Sequence, residues 1–341
     1  MTDSSYRKTE GPEKSTVDRK KRNKIGLFIF LGIVAAVILA SLLMRAFAPK
    51  TDSHGYRDKP FSSGTQNVAE IYIEGEIQEE GQTYNQEWLT GQIRNAMYDK
   101  DNKGIMLVIN SPGGTVYESD ETWQRLMDYK EQTNRPVYAY MEQMAASGGY
   151  YIAAPADQIY INRNGLTGSI GVIGGMSIDA SKFMEDLGVK VDYIHSGDNK
   201  VMGNMFQPMT EEQRNILQQM SDEYYGQFVS IVADGRKMDR QRVRELADGR
   251  IYTPNQAKEN GLVDGISEYE DFKQKMIEDK GLGDNVKFME KKYELAPPFL
   301  QGMLGVSGES LLKALSGNKL SSSMETLKEL EVSEPMYLYQ K

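Results

Sequence analysis

The sequence has 341 residues, of which 26% are charged and 39% hydrophobic, as in an ordinary globular protein. The formal net charge of −9 argues against nucleic-acid binding, because that function needs a basic face. The chain has no cysteine, which excludes disulfides, a thiol nucleophile and Cys-based zinc sites. Two histidines leave little for a metal site, so we expect no metal and no cofactor.

The N-terminal region predicts a membrane anchor. Residues 1–24 form a basic tail with eight Lys or Arg against four acids, a net charge of +4 that leaves −13 for the rest of the chain. Residues 25–44 follow without a charge, and a helix of that length spans roughly 30 Å, the hydrocarbon thickness of a bilayer. Because positive flanks stay inside, we expect a single-pass protein of the cell membrane with a cytoplasmic tail and an extracytoplasmic domain.

A cleaved signal peptide is the alternative interpretation of this region, since Ala46-Phe47-Ala48 has the small-x-small pattern of a cleavage site. The apolar stretch exceeds the roughly 7–15 residues of a signal peptide, which favours the uncleaved anchor. Residues 45–66 are rich in Pro, Gly, Ser and charge, so they predict a linker between membrane and domain.

Residues 67–285 alternate short apolar runs with helical patterns, which predicts an α/β domain with parallel strand pairing. The predicted strands are 68–73, 104–110, 136–141, 158–161 and 190–195. The predicted helices are 92–98, 118–130, 145–153, 181–187 and a long helix that begins at the capping box Thr210–Gln213 and runs through Val232. Residues 286–341 contain Pro297-Pro298 and a stretch rich in Gly and Ser, which predicts a C-terminal tail or an arm that docks elsewhere.

Two short segments carry candidate chemistry. Ser111-Pro112-Gly113-Gly114 follows a buried strand, and its glycines allow a tight turn that exposes amide N–H groups to a developing oxyanion. An ordinary turn is the alternative. In 144–150 a serine, Ser147, lies among small residues where a strand gives way to a helix, which leaves room for a substrate carbonyl beside the N–H of Gly148. A helix N-cap is the alternative for this serine.

A nucleophilic serine needs a base. His54 lies in the linker, and His195 is the one histidine within the predicted domain. Lysine is the other candidate, because a dry site lowers the pKa of an amine enough to leave it neutral, and serine–lysine dyads occur among proteases.

Four segments together resemble the signal peptide peptidases of the protease IV type, which are related to the Clp-type proteases and the crotonases. They are VINSPGG (108–114), MAASGGYYIAAPAD (144–157), LTGSIGVIG (166–174) and SGDNK (196–200). The later stretch DGRIYTPNQAKENGLVD (248–264) is also similar to this family. The resemblance covers roughly residues 67–280, and the ordered combination is far more specific than any one motif. It implies a Clp/crotonase-like α/β domain of repeated β-β-α units behind the transmembrane helix.

The resemblance implies a role for each matching residue. Ser147 would be the nucleophile, Lys200 the general base, and Ser169 would bind and orient the lysine amine. Gly113, Gly114 and Gly148 would supply oxyanion N–H groups. Family members usually carry Asp after the lysine, where this chain has Val201.

The resemblance also implies an assembly and a substrate. In the family the serine and lysine of one site come from different domains, so a single-domain chain implies a homo-oligomeric ring or dome with shared sites. The expected substrates are signal peptides and other unfolded peptides, whose apolar side chains suit a pocket lined by Met144, Ile152, Ile170 and Val172. Two other function classes stay open: a catalytically silent membrane scaffold, and a crotonase-like enzyme acting on an acyl thioester.

Overall fold

The computed structural model describes residues 64–283, 285–295 and 336–338, all within the compact unit Asp58–Lys341. The basic tail, the predicted membrane helix and residues 45–63 of the linker lie outside the described residues. No helix within the described ranges is long and apolar enough to cross a membrane.

The described residues form an α/β structure around a mostly parallel sheet. The sheet order is β7-β6-β4-β2-β1-β9, with β5 beside β4 and β8 beside β5, and only the β6–β7 pair is antiparallel among these described strands. The strands are Asn67–Glu74 (β1), Asn102–Ser111 (β2), Gly113–Thr115 (β3), Val137–Ala146 (β4), Gln158–Ile161 (β5), Leu166–Gly168 (β6), Ile251–Tyr252 (β7), Gly265–Ile266 (β8), Lys287–Lys291 (β9) and Met336–Leu338 (β10).

Helices surround the sheet and confirm the predicted α/β class with parallel pairing. They are Gln86–Tyr98 (α1), Val116–Thr133 (α2), Gly148–Ala153 (α3), Ser181–Asp186 (α4), Glu211–Arg236 (α5), Arg240–Leu246 (α6), Pro254–Glu259 (α7) and Tyr269–Lys280 (α8). The finer Clp/crotonase assignment, with its repeated β-β-α units, stays a prediction.

The central strands are buried on both faces, which is why their sequences are almost continuously apolar. On one face, Val108 and Tyr140 pack against Phe272 of α8, whose ring centroid lies 5.7 Å from that of Tyr140. On the other face, α1 and α3 pack on β2. The long helix α5 begins at the predicted capping box, in which Thr210 and Gln213 bond each other's backbone N–H.

Two predicted elements are corrected. The helix predicted over 145–153 begins only at Gly148, because Ala145 and Ala146 continue β4 and pair with Thr167 and Gly168 of β6. The strand predicted over 190–195 is wrong. This segment lies at the surface without strand structure, and Ile194 is fully exposed, so it has no neighbouring strand to pair with in the described part of the chain.

Two strands lie in the region predicted as a C-terminal tail or arm. β9 extends the central sheet beside β1, past residue 285 where the sequence places the end of the domain. β10 pairs antiparallel with β3, so that Tyr337 lies opposite Gly114 and Leu338 opposite Gly113. The last described residues of the chain therefore lie directly beside the glycine turn.

Candidate active site

Ser147 occupies the junction where β4 ends and α3 begins. Its backbone has φ 52° and ψ −117°, a conformation that residues with a side chain rarely adopt, and its side chain is 1% exposed. The Ser147 N–H donates to the Gly168 carbonyl at 2.8 Å, and the Ser147 carbonyl accepts from the Tyr151 N–H at 2.9 Å. Strain of this kind persists only where surrounding contacts hold it, and it is concentrated at functional sites.

Gly148 brings the two glycine segments together. A Cβ added to Gly148 would lie 3.2 Å from Gly114 N, 3.3 Å from Gly113 Cα and 2.5 Å from Ser119 Oγ. A glycine is therefore required for the first turn of α3 to approach the β2–β3 turn. The structure places Gly113, Gly114 and Gly148, the three residues named from the sequence, around one point beside Ser147.

Hydrogen bonds distinguish the two glycines of the turn. The Gly113 N–H donates to Ser111 Oγ at 3.1 Å, and Ile77 bonds the Gly113 carbonyl at 2.8 Å and the Thr115 N–H at 2.9 Å. The Gly113 N–H is thus bound within the turn, whereas Gly114 lies opposite Tyr337 at the edge that β10 occupies, so Gly114 stays a candidate oxyanion donor at that edge. Ser111, for which the sequence analysis predicted no role, holds this turn through its buried hydroxyl.

Ser169 directly follows the last residue of β6, beside Ser147. Gly168 accepts the hydrogen bond from Ser147, and Ser169 follows it with φ 51° and a side chain that is 7% exposed. The Ser169 N–H donates to the Arg250 carbonyl at 2.7 Å. The structure thus brings Ser147 close to Ser169 through one backbone hydrogen bond, from the Ser147 N–H to the Gly168 carbonyl.

Asp248 and Arg250 support Ser169, a role that sequence reasoning missed although both residues lie in a segment that resembles the family. The Arg250 side chain pairs with the Asp248 carboxylate, and the Arg250 N–H donates to it at 3.1 Å. These hydrogen bonds lower the pKa of Asp248 to about 2. Because its pKa is lowered, the Asp248 carboxyl stays negatively charged at ordinary pH values. The ion pair with Arg250 therefore persists near neutral pH and is lost only in strong acid.

Lys200 is exposed at the surface, in a turn where its N–H donates to the Gly197 carbonyl at 3.1 Å. Within the described residues, no hydrogen bond or ion pair joins the Lys200 side chain to Ser147 or Ser169. His195 lies nearby, with Nδ1 3.0 Å from the Gly197 carbonyl oxygen. The structure therefore assembles the serine side of the site but leaves the role of Lys200 a prediction.

The four residues predicted for a substrate pocket separate into two groups. Ile152 and Ile170 are completely buried and serve the core of the domain. Met144, three residues before Ser147, and Val172, three residues after Ser169, keep part of their surface exposed. Those two stay the better candidates for contact with a peptide.

Comparison with known proteins finds a matching family and several sequence relatives. The family model described as Peptidase family S49 matches residues 129–283. The chain is 35% identical over 298 residues to a putative signal peptide peptidase SppA of Enterococcus faecium, covering 84% of this chain and 86% of that one. It is 31% identical over 195 residues to the chloroplastic serine protease SPPA of Arabidopsis thaliana, covering 57% of this chain and 28% of that one.

A ClpP1 mutant from Listeria monocytogenes is a solved structure with 18% identity and a TM-score of 0.39, and the match covers 59% of this chain and 92% of that one. The family match and the sequence relatives define a serine protease. The chain belongs to peptidase family S49, as a protein of the signal peptide peptidase A type.

The packing around Gly148 generates a first prediction. Gly148→Ala should lower kcat by roughly 10²–10³-fold. The new methyl group would collide with Ser119 Oγ and push the Gly148 N–H away from Gly114, which would separate the two candidate oxyanion donors. Peptide hydrolysis by the purified protein measures the effect. Gly171→Ala is the control, since its Cβ would meet nothing closer than 3.5 Å. Equal rates for the two variants would contradict the proposed oxyanion site.

Proposed function

We propose that this protein is a membrane-anchored endopeptidase that hydrolyses signal peptides and other unfolded peptides, with Ser147 as nucleophile and Lys200 as general base. The observation that carries the proposal is the strained Ser147 backbone at the β4–α3 junction, with Gly148 and Gly114 beside it. The name of the Enterococcus relative supports the substrate class.

The proposed reaction proceeds through an acyl-enzyme. Ser147 Oγ attacks the scissile carbonyl carbon while its proton passes to the neutral Lys200 amine, and the N–H groups of Gly148 and Gly114 bind the oxyanion. The C–N bond then breaks, and the leaving amine takes the proton from Lys200. A water molecule then attacks the ester carbonyl and gives a proton to Lys200. The C–O bond to Ser147 breaks, Ser147 Oγ takes that proton back from Lys200, and the carboxylic acid leaves. Ser169, beside Ser147, would orient the amine.

We place the two halves of each site on neighbouring copies of the chain. The arm, defined here as residues 174–206, carries Lys200 and exposes several large apolar side chains, with Phe183 at 65% and Ile194 at 104% exposure. The others are Met176, Ile178, Leu187, Val189 and Tyr193. Exposed apolar patches are typical of interaction surfaces.

A lysine works as a base only when it is neutral, which a water-excluding contact favours. Burial of the arm against a second copy would provide that contact and a ring or dome of shared sites.

Mixed assemblies test the shared site. Ser147→Ala and Lys200→Ala should each abolish peptide hydrolysis. Co-expression of the two inactive chains in equal amounts should restore roughly a quarter of the wild-type activity, because a closed ring then pairs intact serine and lysine donors at about one site in four. Two affinity tags verify that mixed assemblies form. Mixed assemblies without activity would contradict the shared site. An active Ser147→Ala protein would contradict the proposed function. A catalytically silent scaffold, by contrast, predicts no activity in the wild-type protein.

We also propose that β10 marks the path of a peptide substrate. β10 pairs antiparallel with β3, whose Gly113 and Gly114 form the oxyanion turn. Addition of an extended strand to a sheet edge is a common mode of peptide recognition, because backbone hydrogen bonds accept many sequences. In this proposal the C-terminal segment docks on the domain, as one interpretation of the sequence expected, and it competes with substrates for this edge of β3.

Replacement of the β10 residues tests this competition. Met336–Leu338 changed to Gly-Ser-Gly should lower KM for an unfolded peptide several-fold with kcat unchanged, because a tethered competitor has a high effective concentration, on the order of millimolar. The same replacement at Ser321-Ser322-Ser323, elsewhere in the tail, is the matched control. Identical KM values for both variants and the wild type would remove β10 from the substrate path.

The anchor completes the proposal. A span over residues 25–44 with the basic tail inside would place the domain on the outer face of the membrane, where signal peptides remain after secretion. External protease should digest the domain in intact cells while a cytoplasmic marker survives, as an immunoblot can measure. If the domain and the marker are both protected, and both are digested after lysis, the proposed orientation fails.

A further inference from the structure

Three helices that follow the proposed catalytic segments meet at one carboxylate. α2 begins directly after Gly113–Thr115, α3 begins directly after Ser147, and α5 begins at Glu211, after the segment that carries Lys200. Asp120 of α2 lies where these helices come together, and none of the steps described above uses it.

Hydrogen bonds connect Asp120 to the other two helices. Its Oδ1 accepts from Tyr151 Oη of α3 at 2.5 Å and from Gln227 Nε2 of α5 at 2.6 Å. Gln227 Nε2 also donates to Tyr151 Oη at 2.9 Å, which closes a triangle. Gln124 Nε2 donates to the other carboxylate oxygen at 2.6 Å. Mutual hydrogen bonds of this kind restrict all partners at once, because moving one lengthens the others.

The short helix α3 needs such support. Its N-cap, Ser147, holds a strained backbone that contacts must stabilise, and its carbonyl accepts from the Tyr151 N–H. The Tyr151 ring also packs on Phe228 of α5, with centroids 4.9 Å apart. Tyr151 thus fixes α3 both through its backbone, at the nucleophile, and through its hydroxyl, at Asp120.

α5 also contacts the chain that leads from Ser169 to the arm. Ser221 Oγ donates to the Val172 carbonyl at 3.3 Å, and a Cβ on Gly174 would lie 2.8 Å from Ser221 Cβ. A displacement of α5 would therefore move the segment between Ser169 and the base. The carboxylate of Asp120 links this helix to those that bear the oxyanion turn and the nucleophile.

We infer that Asp120, Tyr151 and Gln227 form a positioning node that keeps Ser147 and Gly148 aligned with the oxyanion turn and with the segment that carries the base. The node residues are positioning residues: they act through the backbones of α2, α3 and α5 and do not contact the reacting atoms. This inference rests on the proposed function, because it assigns the node to the same serine site.

Paired tyrosine variants of the full chain test the node. Tyr151→Phe removes the hydroxyl that bonds Asp120 and should lower kcat on the order of tenfold, with KM changed less than twofold, because misalignment affects the reacting atoms more than binding. Tyr150→Phe is the matched control. Tyr150 is the preceding residue of α3 and is equally buried, but its hydroxyl donates to the Leu262 carbonyl at 2.8 Å. Its kcat should stay within twofold of wild type at a comparable loss of Tm.

Variants of the other two positions extend the test. Asp120→Asn keeps an oxygen that accepts from Tyr151 and Gln227, so it should retain most of kcat, whereas Asp120→Ala should lose as much as Tyr151→Phe. The double variant Asp120→Ala/Tyr151→Phe should be no worse than either single variant, because both remove the same link. If Tyr151→Phe folds poorly, Gln227→Met, which removes one donor, should still lower kcat severalfold.

Equal kcat losses in Tyr151→Phe and Tyr150→Phe would overturn the node, because they would show a general stability effect. Wild-type kcat in Asp120→Ala would overturn it as well. Both results leave Ser147→Ala inactive and the proposed function intact, whereas an active Ser147→Ala protein contradicts the proposed function itself.

Discussion

The hydrogen bond from the Ser147 N–H to the Gly168 carbonyl, 2.8 Å long, joins the two strands on which the candidate site is built. It extends the β4–β6 pairing to the last residue before α3 begins. The chain must then change from the extended conformation of β4 to the helical conformation of α3 within one residue. Ser147 makes this change at a positive φ angle. Ser169 follows the accepting residue directly, so the same bond sets the spacing between the two serines.

Steric constraints on glycine determine the positions of the candidate oxyanion donors. Gly148 lies against Gly113 and Gly114 so closely that a single methyl group would collide with Ser119. Gly114 is held equally tightly, since a Cβ there would lie 1.8 Å from the Ile77 carbonyl oxygen. These contacts leave no space for extra side chains, which explains why small residues surround Ser147.

Burial divides the predicted catalytic residues into two groups with different requirements. Ser147 and Ser169 belong to the packed core, where the sheet determines their positions. Lys200 belongs to an exposed arm whose apolar side chains face solvent in a single chain. In the function proposed above, contact with another protein surface would exclude water from the Lys200 amine and would also cover the exposed apolar side chains.

The sequence by itself determined the elements with strong local signals. The apolar runs of β1, β2 and β5 predicted buried parallel strands, the capping box predicted the start of α5, and the glycine motifs located the turn and the serine. These features depend on neighbours in the chain, so the sequence contains them.

Only the tertiary structure decided where α3 starts, because Ala145 and Ala146 have helical propensity but pair with β6. It also showed that residues 190–195 lack a strand partner, that Arg250 supports Ser169, and that Asp120, Tyr151 and Gln227 meet. Those outcomes depend on contacts between residues far apart in the chain, which local patterns do not encode.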